Sequence, residues 1–368
     1  MTILMNAFQE EPEELRSKMI DAAIRVINSG WYVLGKELSE LEKQWALICD
    51  SPFAVGVGNG MDAIEIILRS LDIGPGDEVI TTPMTAFATV LAILRSGAIP
   101  VLADIDSDTA LISLETAQRC VSKKTKAVLL VHLYGQVRNM NAWTDFCLNN
   151  KIMLIEDCAQ SHIASWKGRV AGTFGVAGAY SFYPTKNLGA LGDAGMLITS
   201  DPNLANRSSQ IRNYGQSVRY EHPEIGMNSR LDEMQAAILL ERLKYLSSFT
   251  DRRRQIANAY QQEISSPYIK KLLDPEEPAA HVHHLYVIQC EARDALQEHL
   301  KKHQIQSLIH YPIPIHQQKL CLDMKRDPLG LGNSENHAKT CLSLPCHPQL
   351  SDQDVVKVID VVNQFSGA

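Results

Sequence analysis

Residues 179–195 read AYSFYPTKNLGALGDAG. An apolar and aromatic strand pattern runs into Pro184 and Thr185 and then into a single lysine, Lys186, which three glycines follow within ten residues. A lysine just past a strand end can be partly desolvated, which lowers the pKa of its amine and makes the neutral form available for covalent chemistry with a carbonyl. A surface lysine in a flexible loop has the same local pattern, so the rest of the chain decides between the two interpretations.

The composition indicates a globular protein with a large and a small domain. The chain has 368 residues, of which 45% are hydrophobic and 21% charged, so wholesale disorder is excluded. The formal net charge is -7 and no block of Lys and Arg dominates, which argues against a nucleic-acid or membrane-surface partner. We found no secretion-signal pattern and no apolar run of about 20 residues, which predicts a cytoplasmic protein without a membrane span.

Cysteine and histidine spacing gives no support for a metal site. The eight cysteines are scattered without a C-x-x-C pair, which predicts buried free thiols in a reducing compartment. His281, His283 and His284 lie together, but no carboxylate or cysteine stands at ligand spacing beside them.

A glycine turn precedes a predicted amphipathic helix. The strand pattern at residues 53–57 ends in Gly58-Asn59-Gly60, and the helical pattern begins at Met61. Free N–H groups and the positive end of the helix dipole at such a turn suit a phosphate, although an ordinary tight connection fits equally well. A dinucleotide fingerprint would need glycine at position 61, which disfavours a nucleotide-dependent dehydrogenase.

Alternating strand and helix patterns predict an α/β fold with a mostly parallel sheet that is covered on both faces. The predicted strands lie at 78–82, 100–103, 127–132 and 152–156, and the predicted helices at 86–96 and 140–150. Ligands of such sheets bind at the carboxyl ends of the strands. His132 ends one strand, Asp157, Gln160 and His162 follow the next, and Lys186 follows a third, so we expect these side chains to share one edge.

The C-terminal part predicts a second, smaller α+β domain. A long helical pattern at 231–264 has one break, and we place the domain boundary there, with a large domain at 1–246 and a small one at 247–368. Beyond it we expect strands at 285–289 and 308–312 and a helix at 294–303. Ser351 and Asp354 form a capping box before a final helix.

These parts match the needs of pyridoxal 5'-phosphate (PLP), which forms a Schiff base with a lysine. Asp157 can keep the pyridine nitrogen protonated, so that the ring acts as an electron sink. Gly60, Met61 and Ser181 can supply donors to the phosphate, and Phe87 can supply an apolar partner to the ring face.

Six segments together resemble the DegT-type sugar-nucleotide aminotransferases: GNGMDA, HLYGQ, IEDCAQSH, SFYPTKNLGALGDAG, NYG and GMNSRLDEMQAAIL. The resemblance spans nearly the whole chain. It implies an aspartate-aminotransferase-like fold (fold type I), with a large PLP-binding domain and a smaller C-terminal domain. It also implies a homodimer with each active site at the subunit interface.

The resemblance implies a role for each motif residue. Lys186 would hold the cofactor and move the proton, Asp157 would pair with the pyridinium nitrogen, and Gln160 would contact the ring hydroxyl. Phe87 would stack on the ring. The phosphate would be held by Gly60, Met61 and Ser181, and by Asn228 from the other subunit. Many members have Ser or Thr where Met61 stands, so contact there would be through the backbone.

The segments HLYGQ and SLIHYPIPIH, with Tyr183 where many members have His, most resemble the subgroup that aminates C-3 of a dTDP-linked 3-keto-6-deoxyhexose. L-glutamate would be the amino donor in a ping-pong sequence of deoxyamino sugar biosynthesis. Implied sugar-nucleotide contacts are Tyr183, Arg219, His310 and Tyr311. A C-4 aminotransferase, a sugar dehydratase and a non-catalytic binder are the alternatives, although related dehydratases carry His in place of the lysine.

Overall fold

A large sheet with helices on both faces and a smaller C-terminal sheet make up the structure, a computed structural model that describes residues 2–367. The helices are α1 (Glu13–Ser29), α2 (Lys36–Ile48), α3 (Gly60–Ser70), α4 (Phe87–Arg95), α5 (Leu114–Cys120), α6 (Met140–Asn150), α7 (Pro202–Ile211), α8 (Glu233–Leu243), α9 (Leu246–Glu263), α10 (Arg293–Lys302), α11 (Gly332–Thr340) and α12 (Asp352–Asn363). The strands are β1 (Phe53–Val57), β2 (Glu78–Thr81), β3 (Ile99–Leu102), β4 (Thr125–Val131), β5 (Met153–Asp157), β6 (Ser165–Trp166), β7 (Arg169–Val170), β8 (Ala177–Ser181), β9 (Gly195–Thr199), β10 (Lys270–Lys271), β11 (Tyr286–Gln289), β12 (Lys325–Arg326) and β13 (Cys341–Leu344).

The large sheet has the strand order β1-β9-β8-β5-β4-β2-β3-β12. Neighbouring strands from β8 to β12 in this order run parallel, whereas β9 is antiparallel to both β1 and β8. The register pairs Val131 with Asp157 and Asp157 with Ala179. The carboxyl ends of β4, β5 and β8 therefore meet at one edge of the sheet, as the sequence predicts.

Two apolar cores lie on opposite faces of this sheet because successive strand residues point to opposite sides. Val79 and Leu129 face a core that includes α3, whereas their neighbours Ile80 and Val128 face a core that includes α2 and α6. Strands that are buried on both faces read as continuous apolar runs, which is the pattern from which the sequence predicts a parallel sheet.

The C-terminal part forms the antiparallel sheet β10-β11-β13 and its own core with α9, α10 and α12. The junction of α8 and α9 coincides with the predicted boundary at residue 246. The two parts exchange segments: Ile3 packs in the C-terminal core, and β12 pairs with β3 in the large sheet. The division into 1–246 and 247–368 stays a proposal.

The prediction of a strand at 308–312 is wrong. Only one isolated bridge forms there, between Leu308 and Ser343. Pro312 and Pro314 lack the N–H that a strand donates, so no ladder can extend beyond Tyr311. The sequence reasoning also missed α5, α11, β6, β7, β10, β12 and β13, which are short elements.

The structure also bears on what the sequence predicts for the cysteines, for the start of the last helix and for membrane-spanning helices. All eight cysteines are buried and free. The Ser351 side chain accepts a hydrogen bond from the Asp354 amide (3.1 Å) at the start of α12, as the capping box predicts. Within residues 2–367, no helix combines the length and the apolar character needed to span a bilayer.

A buried carboxylate of α8 fixes the start of α2. The side chain of Glu233 is 3% exposed and accepts hydrogen bonds from the amides of Gly35 (2.8 Å), Glu37 (2.8 Å) and Leu38 (3.0 Å). These are amides that a helix start leaves without partners, so Glu233 replaces a local N-cap.

We expect Glu233→Ala to lower the free energy of unfolding by about 2–3 kcal/mol, because buried amides lose a charged acceptor. Urea denaturation followed by circular dichroism measures this change. Glu298→Ala is the control, since Glu298 lies on the surface 3.4 Å from Lys301 and such a pair contributes less than about 1 kcal/mol. Equal effects of the two substitutions would contradict the role of Glu233.

Candidate active site

Lys186 lies in a tight loop after β8 and is half-buried. Its amide donates to the Tyr183 carbonyl oxygen (2.8 Å), which closes a turn. Gly189 completes the loop, because a Cβ at this position would lie 2.2 Å from the Pro184 carbonyl oxygen. Burial lowers the pKa of the Lys186 amine to about 8, while the negative charge of Asp157 acts in the opposite direction. A reactive neutral amine is therefore available near neutral pH.

Asp157 ends β5 and is 5% exposed. Its Oδ2 accepts from the Thr89 hydroxyl (2.9 Å), and its Oδ1 accepts from the Ala159 amide (3.1 Å). Burial raises the pKa of the carboxyl group, although both hydrogen bonds and the charge of Lys186 favour the ionised form. A buried carboxylate of this kind gains stability from a cationic ring nitrogen beside it. Thr89, on α4, was missed by the sequence reasoning.

His162 supports the lysine loop. Its Nδ1 accepts from the Leu188 amide (3.1 Å), so its Nε2 carries the proton and donates to the Ser181 carbonyl oxygen (3.0 Å). Burial lowers the pKa of the ring to about 3, which keeps it neutral. The His162 ring therefore contacts the segment that contains Lys186 at both of its ends, through Ser181 and Leu188. We assign His162 a structural role in holding this loop.

His132 belongs to a closed hydrogen-bonded cluster. Its Nε2 lies 2.9 Å from Glu156, whose carboxylate also accepts from the amides of Gly172 and Gly175 (2.8 Å each). The potential metal-ligand atoms of His132, Glu156 and Cys158 lie within 4.8 Å of one another. Because the carboxylate is already satisfied by three donors and burial raises the pKa of the Cys158 thiol, we assign this cluster to the support of β5.

Residues predicted to bind phosphate lie together at the start of α3. Asn59 caps the helix by accepting from the Asp62 amide (2.8 Å). The amides of Gly60 and Met61, the first two helical residues, have no acceptor within the helix. Gly60 packs directly against Ser181, since a Cβ at Gly60 would lie 2.6 Å from the Ser181 Cβ. This arrangement suits an anion beside the lysine loop.

The segment at 310–311 contacts the sheet edge. Gln160 accepts from the Tyr134 amide (2.6 Å) and donates to the Tyr311 hydroxyl (3.3 Å). His310 Nδ1 lies 2.8 Å from the Ser343 hydroxyl. Burial raises the pKa of Tyr311 to about 12, with a contribution from the charge of Asp157. Burial lowers the pKa of His310 to about 4, with a contribution from the charge of Lys186.

Tyr134 joins the two parts of the molecule at this point. Its hydroxyl donates to the His310 carbonyl oxygen (2.5 Å) and accepts from His337 Nε2 (2.9 Å), while His337 Nδ1 lies 2.9 Å from the Gln289 amide nitrogen. Tyr134 has a φ of 61°, which is strained for a non-glycine residue and is held by these contacts. Sequence patterns gave no signal for His337, because α11 was not predicted.

Within residues 2–367, the side chains of four predicted site residues form no hydrogen bond with Lys186 or Asp157, and Tyr183 meets Lys186 only through its carbonyl oxygen. Phe87 is the first residue of α4 and packs in a cluster with Val90 and Ile315. Tyr183, Arg219 and Asn228 are exposed, and the Arg219 guanidinium lies 5.0 Å from the Tyr220 ring centre.

The site fits PLP on three observations. The amine of Lys186 has a lowered pKa, the buried Asp157 lies within electrostatic reach of it, and the start of α3 can accept a phosphate. When bound, PLP supplies the electron sink for reactions at the carbon that bears an amino group.

A model of the DegT/DnrJ/EryC1/StrS aminotransferase family matches residues 13–363. The chain belongs to this family. Enzymes of the family use PLP, and solved relatives hold PLP or its aminated form, so the chain is a PLP-dependent aminotransferase with the type I fold. The fold and the cofactor that the sequence predicts are thereby confirmed.

Individual relatives match along almost the whole chain. A dTDP-3-amino-3,6-dideoxy-alpha-D-galactopyranose transaminase from Aneurinibacillus thermoaerophilus is 42% identical over 341 residues, which cover 93% of each protein. A UDP-N-acetyl-3-dehydro-alpha-D-glucosamine 3-aminotransferase from Acidithiobacillus ferrooxidans is 36% identical over 352 residues, which cover 95% of this chain and 94% of that protein. The crystal structure of DesV from S. venezuelae with a ketimine intermediate has a TM-score of 0.95 and 38% identity, and the match covers 99% of this chain and 98% of that chain.

The aminotransferase should take up PLP at a rate that follows the neutral fraction of the Lys186 amine. The pKa of about 8, instead of the usual 10.5, means that this rate rises up to about pH 8 and then levels off. Absorbance spectroscopy during reconstitution at a series of pH values measures it.

Asp157→Asn should shift the midpoint of this profile to lower pH, because the ammonium form loses a stabilising negative charge. Asp145→Asn, at an exposed position of α6, should leave the midpoint unchanged. A midpoint near 10.5 in the parent enzyme, or no shift in Asp157→Asn, would refute the electrostatic account.

Proposed function

We propose that this aminotransferase moves the amino group of L-glutamate to C-3 of a dTDP-linked 3-keto-6-deoxyhexose. The observation that carries the choice of sugar is the 42% identity to a dTDP-3-amino-3,6-dideoxy-galactopyranose transaminase, over 93% of both proteins. It agrees with the resemblance of the segments HLYGQ and SLIHYPIPIH to the C-3 subgroup. The lysine and aspartate at the sheet edge supply the transamination chemistry.

Lys186 and Asp157 are the proposed catalytic residues. Lys186 would bond to the cofactor and, once released, its Nζ would accept the proton from the glutamate Cα. Asp157 would stay ionised beside the ring nitrogen, and its hydrogen bonds from Thr89 and the Ala159 amide fix its orientation. Preorganised groups of this kind stabilise charge in the transition state without reorganisation.

The remaining predicted site residues would bind the cofactor and the sugar nucleotide. Gly60, Met61 and Ser181 would hold the phosphate, Gln160 the ring hydroxyl, and Phe87 the ring face. Tyr311 accepts a hydrogen bond from Gln160, which supports the proposal that Tyr311 and His310 contact the sugar. Tyr183 and Arg219 are exposed and would contact the nucleotide part of the substrate.

We further propose that the enzyme works as a cytoplasmic homodimer. Asn228 is exposed in the single chain, next to the segment that contacts the start of α3 through Ser229, whose hydroxyl accepts from the Gly58 amide (3.0 Å). An exposed amide near the phosphate site can reach the cofactor of a second copy.

A UDP-linked 3-keto sugar is the second candidate substrate, which is supported by the 36% identity to a UDP-sugar 3-aminotransferase. A C-4 aminotransferase on a 4-keto sugar shares the same chemistry. A dehydratase is disfavoured because Lys186 stands where related dehydratases have His.

The substrate is tested by incubating the purified holoenzyme with glutamate and a panel of dTDP- and UDP-linked 3-keto and 4-keto sugars. We expect amination at C-3 of a dTDP-linked 3-keto-6-deoxyhexose, located by NMR, and no product with Lys186→Ala. Product from the UDP sugars alone, or nitrogen at C-4, would overturn the assignment.

The electron-sink role of Asp157 gives a separate prediction. Asp157→Asn should retain bound cofactor but slow the half-reaction with glutamate by about 100-fold or more, since a neutral amide cannot hold the ring nitrogen in its charged form. Single-turnover absorbance measurements with excess glutamate test this. Transamination at the parent rate would show that another group holds the ring proton.

A further inference from the structure

Arg253 of α9 carries a buried positive charge that no acidic side chain neutralises. The residue is 5% exposed, and its Nη1 donates to the carbonyl oxygens of His283 (3.4 Å), His284 (3.2 Å) and Cys346. Among residues 2–367, the buried Nε of Arg253 has no hydrogen-bond partner, and the guanidinium forms no ion pair. Burying an unpaired charge is costly, so this group calls for an anion.

The titratable groups that surround Arg253 do not supply that anion. Burial lowers the pKa of His283 to about 3 and the pKa values of His310 and His347 to about 4, so these rings are neutral at neutral pH. Burial raises the pKa of the Cys346 thiol to about 11, against the effect of the Arg253 charge, so the thiol is protonated.

A small cavity lies between Arg253 and Thr185, the residue that precedes Lys186. Its volume is about 80 Å³, and its lining includes Asn6, Thr185, Arg253, His284 and His310. Thr185 directly precedes Lys186, and the positive charge of Lys186 contributes to the lowered pKa of both His284 and His310. This volume has room for a few water molecules, which suits a carboxylate group but not a nucleoside diphosphate.

We infer that Arg253 binds a carboxylate of the amino donor in this cavity and thereby directs the donor's amino group towards Lys186. This inference rests on the proposed function, because it assigns the amino-acid half of that reaction to a site of its own. A planar guanidinium with free N–H groups forms charge-assisted hydrogen bonds with a carboxylate. A phosphate of the sugar nucleotide has the same anionic chemistry, so the test must separate the two half-reactions.

The test uses the holoenzyme and its variants Arg253→Lys and Arg253→Met, with Arg254→Met as the matched control. Arg254 lies on the same helix and also donates to a carbonyl oxygen, that of His281 (3.0 Å), but it pairs with Asp251 (3.2 Å). Single-turnover kinetics follow the PLP form with glutamate and the aminated form with the keto sugar. Titration with glutarate, a dicarboxylate that has no amino group to transfer, measures carboxylate binding without turnover.

We expect Arg253→Met to lower kcat/KM for the glutamate half-reaction about 10- to 100-fold, because this is the range for loss of a hydrogen bond to a charged group. Glutarate binding should weaken by a similar factor. The kcat/KM of Arg253→Lys for the glutamate half-reaction should fall between the values of Arg253→Met and the parent. The rates of the sugar half-reaction, and all values of Arg254→Met, should stay within about two-fold of the parent values. Equal losses in both half-reactions would show that Arg253 has a purely structural role. A loss confined to the half-reaction with the keto sugar would show that Arg253 binds a phosphate of the sugar nucleotide. Unchanged glutarate binding would also overturn the inference.

The proposed function can fail independently of this inference. If the parent holoenzyme aminates none of the dTDP sugars, the substrate proposal falls. Glutarate binding that depends on Arg253 and not on Arg254 would still support the carboxylate site.

Discussion

The chemistry that we propose depends on an electrostatic interaction between the half-buried amine of Lys186 and the buried carboxylate of Asp157. Each is destabilised in its charged form by burial, and each is partly stabilised by the charge of the other. The result is an amine whose neutral form is accessible near neutral pH, because its pKa is about 8, and a carboxylate that favours a cation beside it. A cofactor that bonds to the amine and offers a protonatable ring nitrogen satisfies both groups.

The sheet brings these groups together. Asp157 is paired with Val131 on one side and Ala179 on the other, so the carboxyl ends of three neighbouring parallel strands are in register. Lys186 follows within a loop whose shape is set by Gly189 and whose ends are tied by His162. The C-terminal part then contributes the segment with His310 and Tyr311, which Tyr134 and Gln160 hold against that edge.

Sequence reasoning predicted the parts of this arrangement that depend on local pattern. Continuous apolar strands, glycine turns and polar residues at strand ends predicted the α/β sheet and the shared edge of Asp157, Gln160 and Lys186. It could not predict contacts between distant segments, such as the hydrogen bond from Thr89 to Asp157 or the contact of Tyr134 with His337. The strand expected at 308–312 failed because prolines at 312 and 314 interrupt the apolar pattern. Arg253 stands in a run of three arginines, and nothing in this local pattern distinguishes the one that is buried.

The central claim is that the amine of Lys186 is the group that bonds to PLP. Reduction of the holoenzyme with borohydride makes that bond permanent, and mass spectrometry of the digested protein then locates the phosphopyridoxyl group. The account predicts this group on the peptide that contains Lys186 and on no other lysine. A modified lysine elsewhere, with Lys186 unmodified, would contradict it.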